Sequence, residues 1–346
     1  MEFKVRAFAV SFLVAAFVSG VFSPVATAEE KGEKQYKFKL AALAPKAMGW
    51  AKHTREVAHP YLEKGTNGKL EIQWYWGGVM GNDKDYLQKM KIGQLDGAAF
   101  TGQGTVLAIP EMAVLELPFL FNDYDEVDYI KEKMWPTFDE LAEKRGYKLI
   151  VWVDQDFDQI YSANIKPDSL SVFPKTKFIT WYGPLEQMVL QKLGASPIPV
   201  NVTEITPSIR QGVADALIAP AIWVVGSQIY TTLKYVNPVK IRYSPITVIV
   251  TMDAFNSVPP DYQKVVMGLR NDVCDEVRKR IRADNAICYD SMVKYGVQEA
   301  IMNPQDLEQM KTKCKEVWNE ASGKEFPKEL LDKVLAHLKE FREKKK

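Results

Sequence analysis

Aspartates at 154, 156 and 158 occupy alternate positions, Asp154-x-Asp156-x-Asp158, as at the opening of a calcium-binding loop. That loop needs glycine at its sixth place and a bidentate glutamate at its twelfth, and here those places hold Gln159 and Ile165. The triplet therefore reads as a solvated acidic loop, or as lining of a ligand cleft, and no metal site is expected. His53 and His59 miss the i, i+4 spacing of a helical metal pair, and His337 is remote. Gly102-Gln103-Gly104 is half of a dinucleotide fingerprint and reads as a tight turn between strand and helix. There is no Gly-x-Ser-x-Gly elbow and no cysteine in a protease-like context. An enzyme would have to assemble its acid and base from distant residues, for example Glu116 and Asp215. The chain is read as a non-enzyme without a cofactor.

The elements around these groups alternate between strand and helix. Strand patterns lie at 36–43, 69–76, 95–100 and 147–153, the last a continuous apolar run of the kind buried in a parallel sheet. An amphipathic helix is expected over about 50–64. Asn82 caps a short one that ends near Gly93. Val127, Ile130, Met134, Phe138 and Leu141 follow the helical period, Pro136 kinks or divides that helix, and Glu126, Asp128, Lys131 and Lys133 read as its exposed face. The alternation restarts with strands at 177–181, 196–200 and 214–219 and helices at 185–193, 203–212 and 221–230. A long strand over 241–252 begins a return to the first domain, and 259–295 is helical with almost no breakers. Leu330, Leu331, Val334, Leu335, Leu338 and Phe341 form the apolar stripe of a last helix, and 342–346 reads as a solvated basic tail. Two α/β lobes with a chain that crosses between them, and a crevice at the strand ends, describe a hinged binding protein.

Residues 1–28 read as a secretion signal: Lys4 and Arg6, an apolar run, then Ala26-Thr27-Ala28 before the cut. The apolar run is shorter than the ~20 residues that span a bilayer. Removal of Glu2, Lys4 and Arg6 takes the formal charge from +1 to neutral. A neutral chain without a basic stripe argues against nucleic acid as partner. Cys274 and Cys288 fall on one helix, about 21 Å apart at 1.5 Å per residue, too far to pair. A bridge from Cys314 to either is geometrically open; three free thiols are the plainer reading.

Segment 77–121 resembles the signature region of the DctP-type extracytoplasmic solute receptors of TRAP transporters. The resemblance is carried by Thr66-Asn67-Gly68-Lys69, Gly81-Asn82-Asp83, Gly93-Gln94-Leu95-Asp96 and Leu117-Pro118-Phe119-Leu120-Phe121. Further along, Leu193-Gly194-Ala195-x-Pro197 and Gly212-Val213-x-Asp215 extend it over nearly the whole mature chain. It implies a two-lobed periplasmic-binding-protein fold with a hinge and a long helix spanning both lobes. Lobe I is expected over 29–151 plus about 241–283, and lobe II over 152–240 plus about 284–346. It also implies a periplasmic protein, a small-molecule ligand and TRAP membrane permease subunits as partners; a monomer is expected. A ligand-sensing protein that presents its bound state to a signalling receptor is the alternative, and after it an enzyme on this scaffold.

The departures from the family pattern bear on the ligand. Ile179 occupies the place of the arginine that the resemblance implies for a substrate carboxylate, and Asp158 after Phe157 that of a second arginine. In Ala216-Leu217-Ile218-Ala219-Pro220 the family's Glu and Asn are absent. Each lost charge-assisted bond removes about 1.5–3 kcal/mol, so a simple carboxylate is disfavoured unless Lys177 or Lys46 replaces the cation. The expected cleft is formed by Trp50, Gln103, Asp154, Phe157, Asp158, Ile179, Trp181, Tyr182, Ala219 and Trp223. Apolar walls with few polar anchors suit a hydrophobic or aromatic ligand, uncharged or cationic.

Overall fold

The computed structural model describes residues 35–46 and 49–345; the secretion signal read at 1–28 lies outside them. The strands are β1 Tyr36–Ala42, β2 Leu70–Tyr75, β3 Gly97–Phe100, β4 Tyr147–Ser162, β5 Lys177–Thr180, β6 Ser196–Pro199, β7 Ala216–Ala219, β8 Tyr235–Thr251 and β9 Gln298–Glu299. The helices of the first half are α1 Gly49–His53, α2 His59–Thr66, α3 Asp83–Lys91, α4 Gly102–Ala108 and α5 Tyr124–Glu143, with a π-helical turn Thr54–Ala58 between α1 and α2. Then come α6 Pro184–Lys192, α7 Ile205–Arg210, α8 Ala221–Gly226, α9 Met252–Ser257, α10 Pro260–Asp272, α11 Cys274–Tyr295, α12 Pro304–Ala321 and α13 Lys328–Lys344.

The nine strands of the described residues join one mixed sheet in the order β2-β1-β3-β8-β4-β7-β5-β6, with β9 beside β8. Its spine is the long antiparallel ribbon of β4 and β8. Two parallel wings attach to opposite ends of that ribbon. β3 pairs with β8 where Thr247–Val250 are opposite it, and β7 pairs with β4 at residues 159–162. The chain thus builds two α/β halves whose link is a pair of continuous strands.

β4 is much longer than its apolar run suggested. It continues through Asp154, Asp156 and Asp158, all three fully buried, so the reading of a solvated acidic loop is corrected. The aspartates survive there because each finds hydrogen-bond partners; their alternation follows the two-residue repeat of a strand. The ribbon is irregular at this place, with register shifts between Asp154 and Asp156 and between Asp158 and Ile160, opposite Pro245 and Arg242. Asp156 holds φ at 137°, a strained value for an aspartate. Its carboxylate accepts from the Tyr124 hydroxyl at 2.5 Å and from the Phe157 amide at 2.6 Å.

α5 runs undivided through Pro136, since Val127, Ile130, Met134, Phe138 and Ala142 are buried on both sides of the proline. Its supposed exposed face is partly interior: Glu126 and Lys131 are each 3% exposed. The basic end of the chain also docks. Arg342 pairs with Glu126 at 2.7 Å and donates to the Leu120 carbonyl at 3.0 Å, so it is no free tail. The helical stretch at 259–295 divides at Val273 into α10 and α11. α11 is roughly 33 Å long at 1.5 Å per residue and packs on β4, α1 and α10 as well as on α8 of the second half. α12 lies against α6, and α13 returns to α5. Cys274, Cys288 and Cys314 are free thiols. Among the described residues no helix is long and apolar enough to cross a membrane, and no group of three or more ligating side chains is placed for a metal ion.

Candidate functional site

The two halves face each other across a cleft of about 210 Å³. Leu43, Pro45 and Trp50 line it from the ends of β1 and the start of α1; Thr203, Thr206 and Trp223 line it from the second half. A second cavity, about 120 Å³, shares Leu43, Pro45, Trp50, Val202 and Trp223 with the cleft. It extends between one face of the first half's sheet and the helices α2, α10 and α11. Its strand walls are alternate residues, Phe38 and Leu40 of β1 and Ile246, Val248 and Val250 of β8, which a strand turns to one face. Val277 and Ile281 of α11 close the opposite side. Among the described residues no Asp, Glu, Lys or Arg lines either cavity. His59, on the wall of the second, has its pKa lowered from 6.5 by burial and by the Arg55 charge, so it is neutral at pH 7.

Local chemistry fixes the tryptophans at the cleft. The Trp50 indole donates to the Asp154 carbonyl at 3.1 Å, tying α1 to the irregular part of β4. Trp181 donates its indole hydrogen to the Ile218 carbonyl at 3.1 Å and packs on Trp223 with ring centroids 4.8 Å apart. Trp181 is 1% exposed and acts as the backing for Trp223, which is half-buried.

Of the ten residues expected at the cleft, the structure brings Trp50 and Trp223 to the cavities. Gln103 is half-buried in α4 and is not on either wall. Phe157 packs edge-on to Tyr243 in the core, and Ile179 and Ala219 are fully buried in the second half. Asp154, Asp158 and Tyr182 belong to two buried polar networks. Lys177 and Lys46 are exposed and line neither cavity.

The first network surrounds Asp154. Lys131, Arg282 (2.7 Å) and the Tyr243 hydroxyl (2.7 Å) all bond to its carboxylate, and Arg282 also clasps Asp128 at 2.6 Å. Burial disfavours the Asp154 charge, yet Lys131 and Arg282 outweigh it and hold its pKa below the usual range. The result locks α11 and α5 to the ribbon beside Trp50.

The second network centres on Arg242, which sequence reasoning missed. The available signal was one arginine inside an apolar strand. Its guanidinium contacts Asp158 at 2.7 Å and Glu186 at 3.3 Å and lies 3.8 Å from the Tyr182 ring centre. Ser244 also donates to Asp158 at 2.6 Å, and the Tyr182 hydroxyl to Gln155 at 2.6 Å. Glu116 stands behind this group with Oε1 unpartnered. A side chain at Gly102 would place Cβ 2.2 Å from Tyr182, so only glycine lets the halves approach here. The carboxylate at 158 thus takes up an arginine from β8, and that cation is already neutralised by the protein's own acids.

Burial is the main cause that pushes Glu116 up to about 8, with Arg242 opposing and Asp158 and Glu186 adding to it. Burial likewise raises Asp83 and Asp156 to about 7. These folded pKa values exceed the unfolded ones, so the stability they contribute is complete below about pH 4 and is lost as pH rises through 7–8. His59 acts in the opposite sense, below pH 6.5. Calorimetry is expected to show Tm falling from pH 6.5 to 8.5, and Glu116→Gln to reduce that fall by on the order of 2 kcal/mol in stability. A Tm that rises over this interval contradicts the assignment.

The model of bacterial extracellular solute-binding protein family 7, DctP, matches residues 49–324. The 2,3-diketo-L-gulonate-binding periplasmic protein YiaO of Escherichia coli K12 is 20% identical over 68% of this chain and 73% of its own length. Among solved structures, the sugar acid binding protein DctPAm from Advenella mimigardefordensis, in complex with galactonate, superposes with a TM-score of 0.83 at 18% identity. That likeness covers 89% of this chain and 99% of the other. A TRAP periplasmic solute binding protein from Haemophilus influenzae with bound L-gulonate gives 0.82 at 18% identity, covering 88% and 100%.

Proposed function

The chain belongs to bacterial extracellular solute-binding protein family 7, the DctP family, and we propose that it is a periplasmic receptor that delivers a small molecule with an apolar or aromatic body to TRAP membrane permease subunits. One observation supports the ligand class above the others: among the described residues neither cavity wall carries a formal charge. The similar proteins above carry the sugar acids galactonate and L-gulonate in their structures. A carboxylate enclosed in the present cleft would lose hydration without gaining a cation, which costs several kcal/mol. Arg242 offers no remedy, since Asp158 and Glu186 already hold it.

In this reading Trp50 and Trp223 contact the ligand from the two halves, while Phe157, Ile179, Trp181, Tyr182 and Ala219 support the walls behind them. Thr203, Thr206 and Ser227 supply uncharged hydrogen-bonding groups at the rim. The irregular ribbon around Asp154–Asp158 and Pro245 serves as the hinge. The lobes keep the bounds drawn from the sequence, save that α13 goes with the first lobe because it rests on α5. Ligand that touches both lobes favours the closed form by its difference in affinity.

The test is native mass spectrometry on protein purified from its host, with identification of the co-purified molecule, followed by scattering and thermal shift. A non-carboxylate ligand with an aromatic or alkyl body, a smaller radius of gyration on binding, and stabilisation of about 2.7 kcal/mol at a hundredfold excess over Kd are expected. Micromolar binding of D-galactonate or succinate, with no binding of uncharged apolar compounds, overturns the ligand class.

A further inference from the structure

Building on the apolar-ligand reading, we infer that the cavity behind the first half's sheet is a recognition subsite for a benzene-sized ring at one end of the ligand, whose polar end stays in the cleft. Three observations combine to support this. The first is continuity: the cavity and the cleft share Leu43, Pro45, Trp50, Val202 and Trp223, so one molecule can occupy both.

The second is size and lining. At about 120 Å³ the cavity is comparable with the ~150 Å³ apolar engineered cavity that stays dry and takes up benzene. An apolar void of this size in an ordinary core is a defect, since the atoms that line it lose their contacts. Here the defect runs through the centre of the fold. Val151 and Val248 lie on the two central strands of the sheet, yet both line the cavity and stay only half-buried.

The third is how that gap is held open. The helix that covers it is interrupted by the π-helical turn Thr54–Ala58, and Thr54 and Ala58 both line the cavity. Such π turns recur at functional sites. Beyond this turn α2 is pressed hard on α10, where a Cβ at Gly65 would come within 2.4 Å of Val265. α2 therefore has no freedom to settle inward, and the space persists.

The ring class follows from the walls. Trp74 and Trp76 stack at 4.4 Å with 18° between their planes, and Trp50 and Trp223 stand at the shared neck. Aromatic pairs attract one another beyond what area burial gives, which favours a flat ring over a chain of equal carbon number. Phe38 and Val250 stand at the end of the cavity away from Ala42 and Ile246, near the start of β1 and the end of β8. They set how deep a ring can go.

The experiment titrates benzyl alcohol, 1-heptanol and D-galactonate into the full mature chain and into two variants, by calorimetry and by nuclear magnetic resonance of the valine methyls. Val250→Phe plugs the deep end. Phe38→Leu lengthens it and is tested with 4-propylbenzyl alcohol. Expected results are binding of benzyl alcohol at least threefold tighter than 1-heptanol, shifts at Val248 and Val277, and a tenfold or greater loss in Val250→Phe. Phe38→Leu gains binding of the propyl compound at least threefold, which decides the matter if Val250→Phe does not fold. Unchanged benzyl alcohol binding in the plugged variant, or no gain in Phe38→Leu, overturns the subsite while the receptor for an apolar ligand stands. Tighter binding of 1-heptanol overturns the ring class. Binding of galactonate alone overturns both the subsite and the ligand reading beneath it.

Discussion

Arg242→Met is expected to destabilise the protein by about 3–5 kcal/mol, as breakage of a buried ion pair does when one partner is removed. The guanidinium is the cation within reach of Asp158 and Glu186, both buried, and Glu116 stands in the same field. Without it, each of these carboxyls must fold in its neutral form. The loss should therefore be greater at pH 8 than at pH 5, because the unfolded chain ionises them at no cost. Urea unfolding at both pH values measures this. A second change, Asp158→Asn in the Arg242→Met background, should restore part of the loss by removing one orphaned charge. A deficit under about 1 kcal/mol that does not depend on pH would mean that water or a neighbouring group replaces Arg242, and the network would then not brace the two halves. Since folded domains have only about 5–15 kcal/mol in total, the predicted loss approaches unfolding.

The second large effect separates two adjacent tryptophans. Trp181→Ala should cost about 3–5 kcal/mol of stability, since it removes a side chain 1% exposed and leaves a cavity. Trp223→Ala should cost less than half of that and reduce ligand affinity tenfold or more, because its half-buried ring faces both cavities. Urea melts and titrations with the co-purified ligand, run on both variants, give the comparison. Equal losses of stability would place Trp223 in the core. Unchanged affinity in Trp223→Ala would remove it from the ligand's contacts. The two indoles are only 4.8 Å apart, so the difference in expected outcome rests on orientation alone.

Much of the scaffold was legible because local rules govern it. Asn82 caps α3 with a reciprocal bond to Asp85, as its place before a helical run requires. The stripe Leu330, Leu331, Val334 and Leu338 became the buried face of α13. Alternating strands and helices sufficed for an α/β assignment, and the motifs from Gly81 to Phe121 for the family. Charged residues were less legible. Glu126, Lys131 and Arg342 each looked solvated in isolation, and each pairs with a residue far along the chain. The same holds for Asp154 and Asp158, which read as a loop because buried carboxylates are rare unless paired.

The sequence by itself determined the class of fold, most of the order of its elements, and the motifs that carry the resemblance to the family. All of these depend on residue type, spacing and periodicity. Only the tertiary structure decided where Arg242 goes, which tryptophans face open space, and that a cavity lies between Val248 and α11. The reason is that salt-bridge partners and cavities arise between segments tens to hundreds of residues apart. An ion pair such as Asp158 with Arg242, or a gap between Val248 and Val277, leaves no trace in either segment alone.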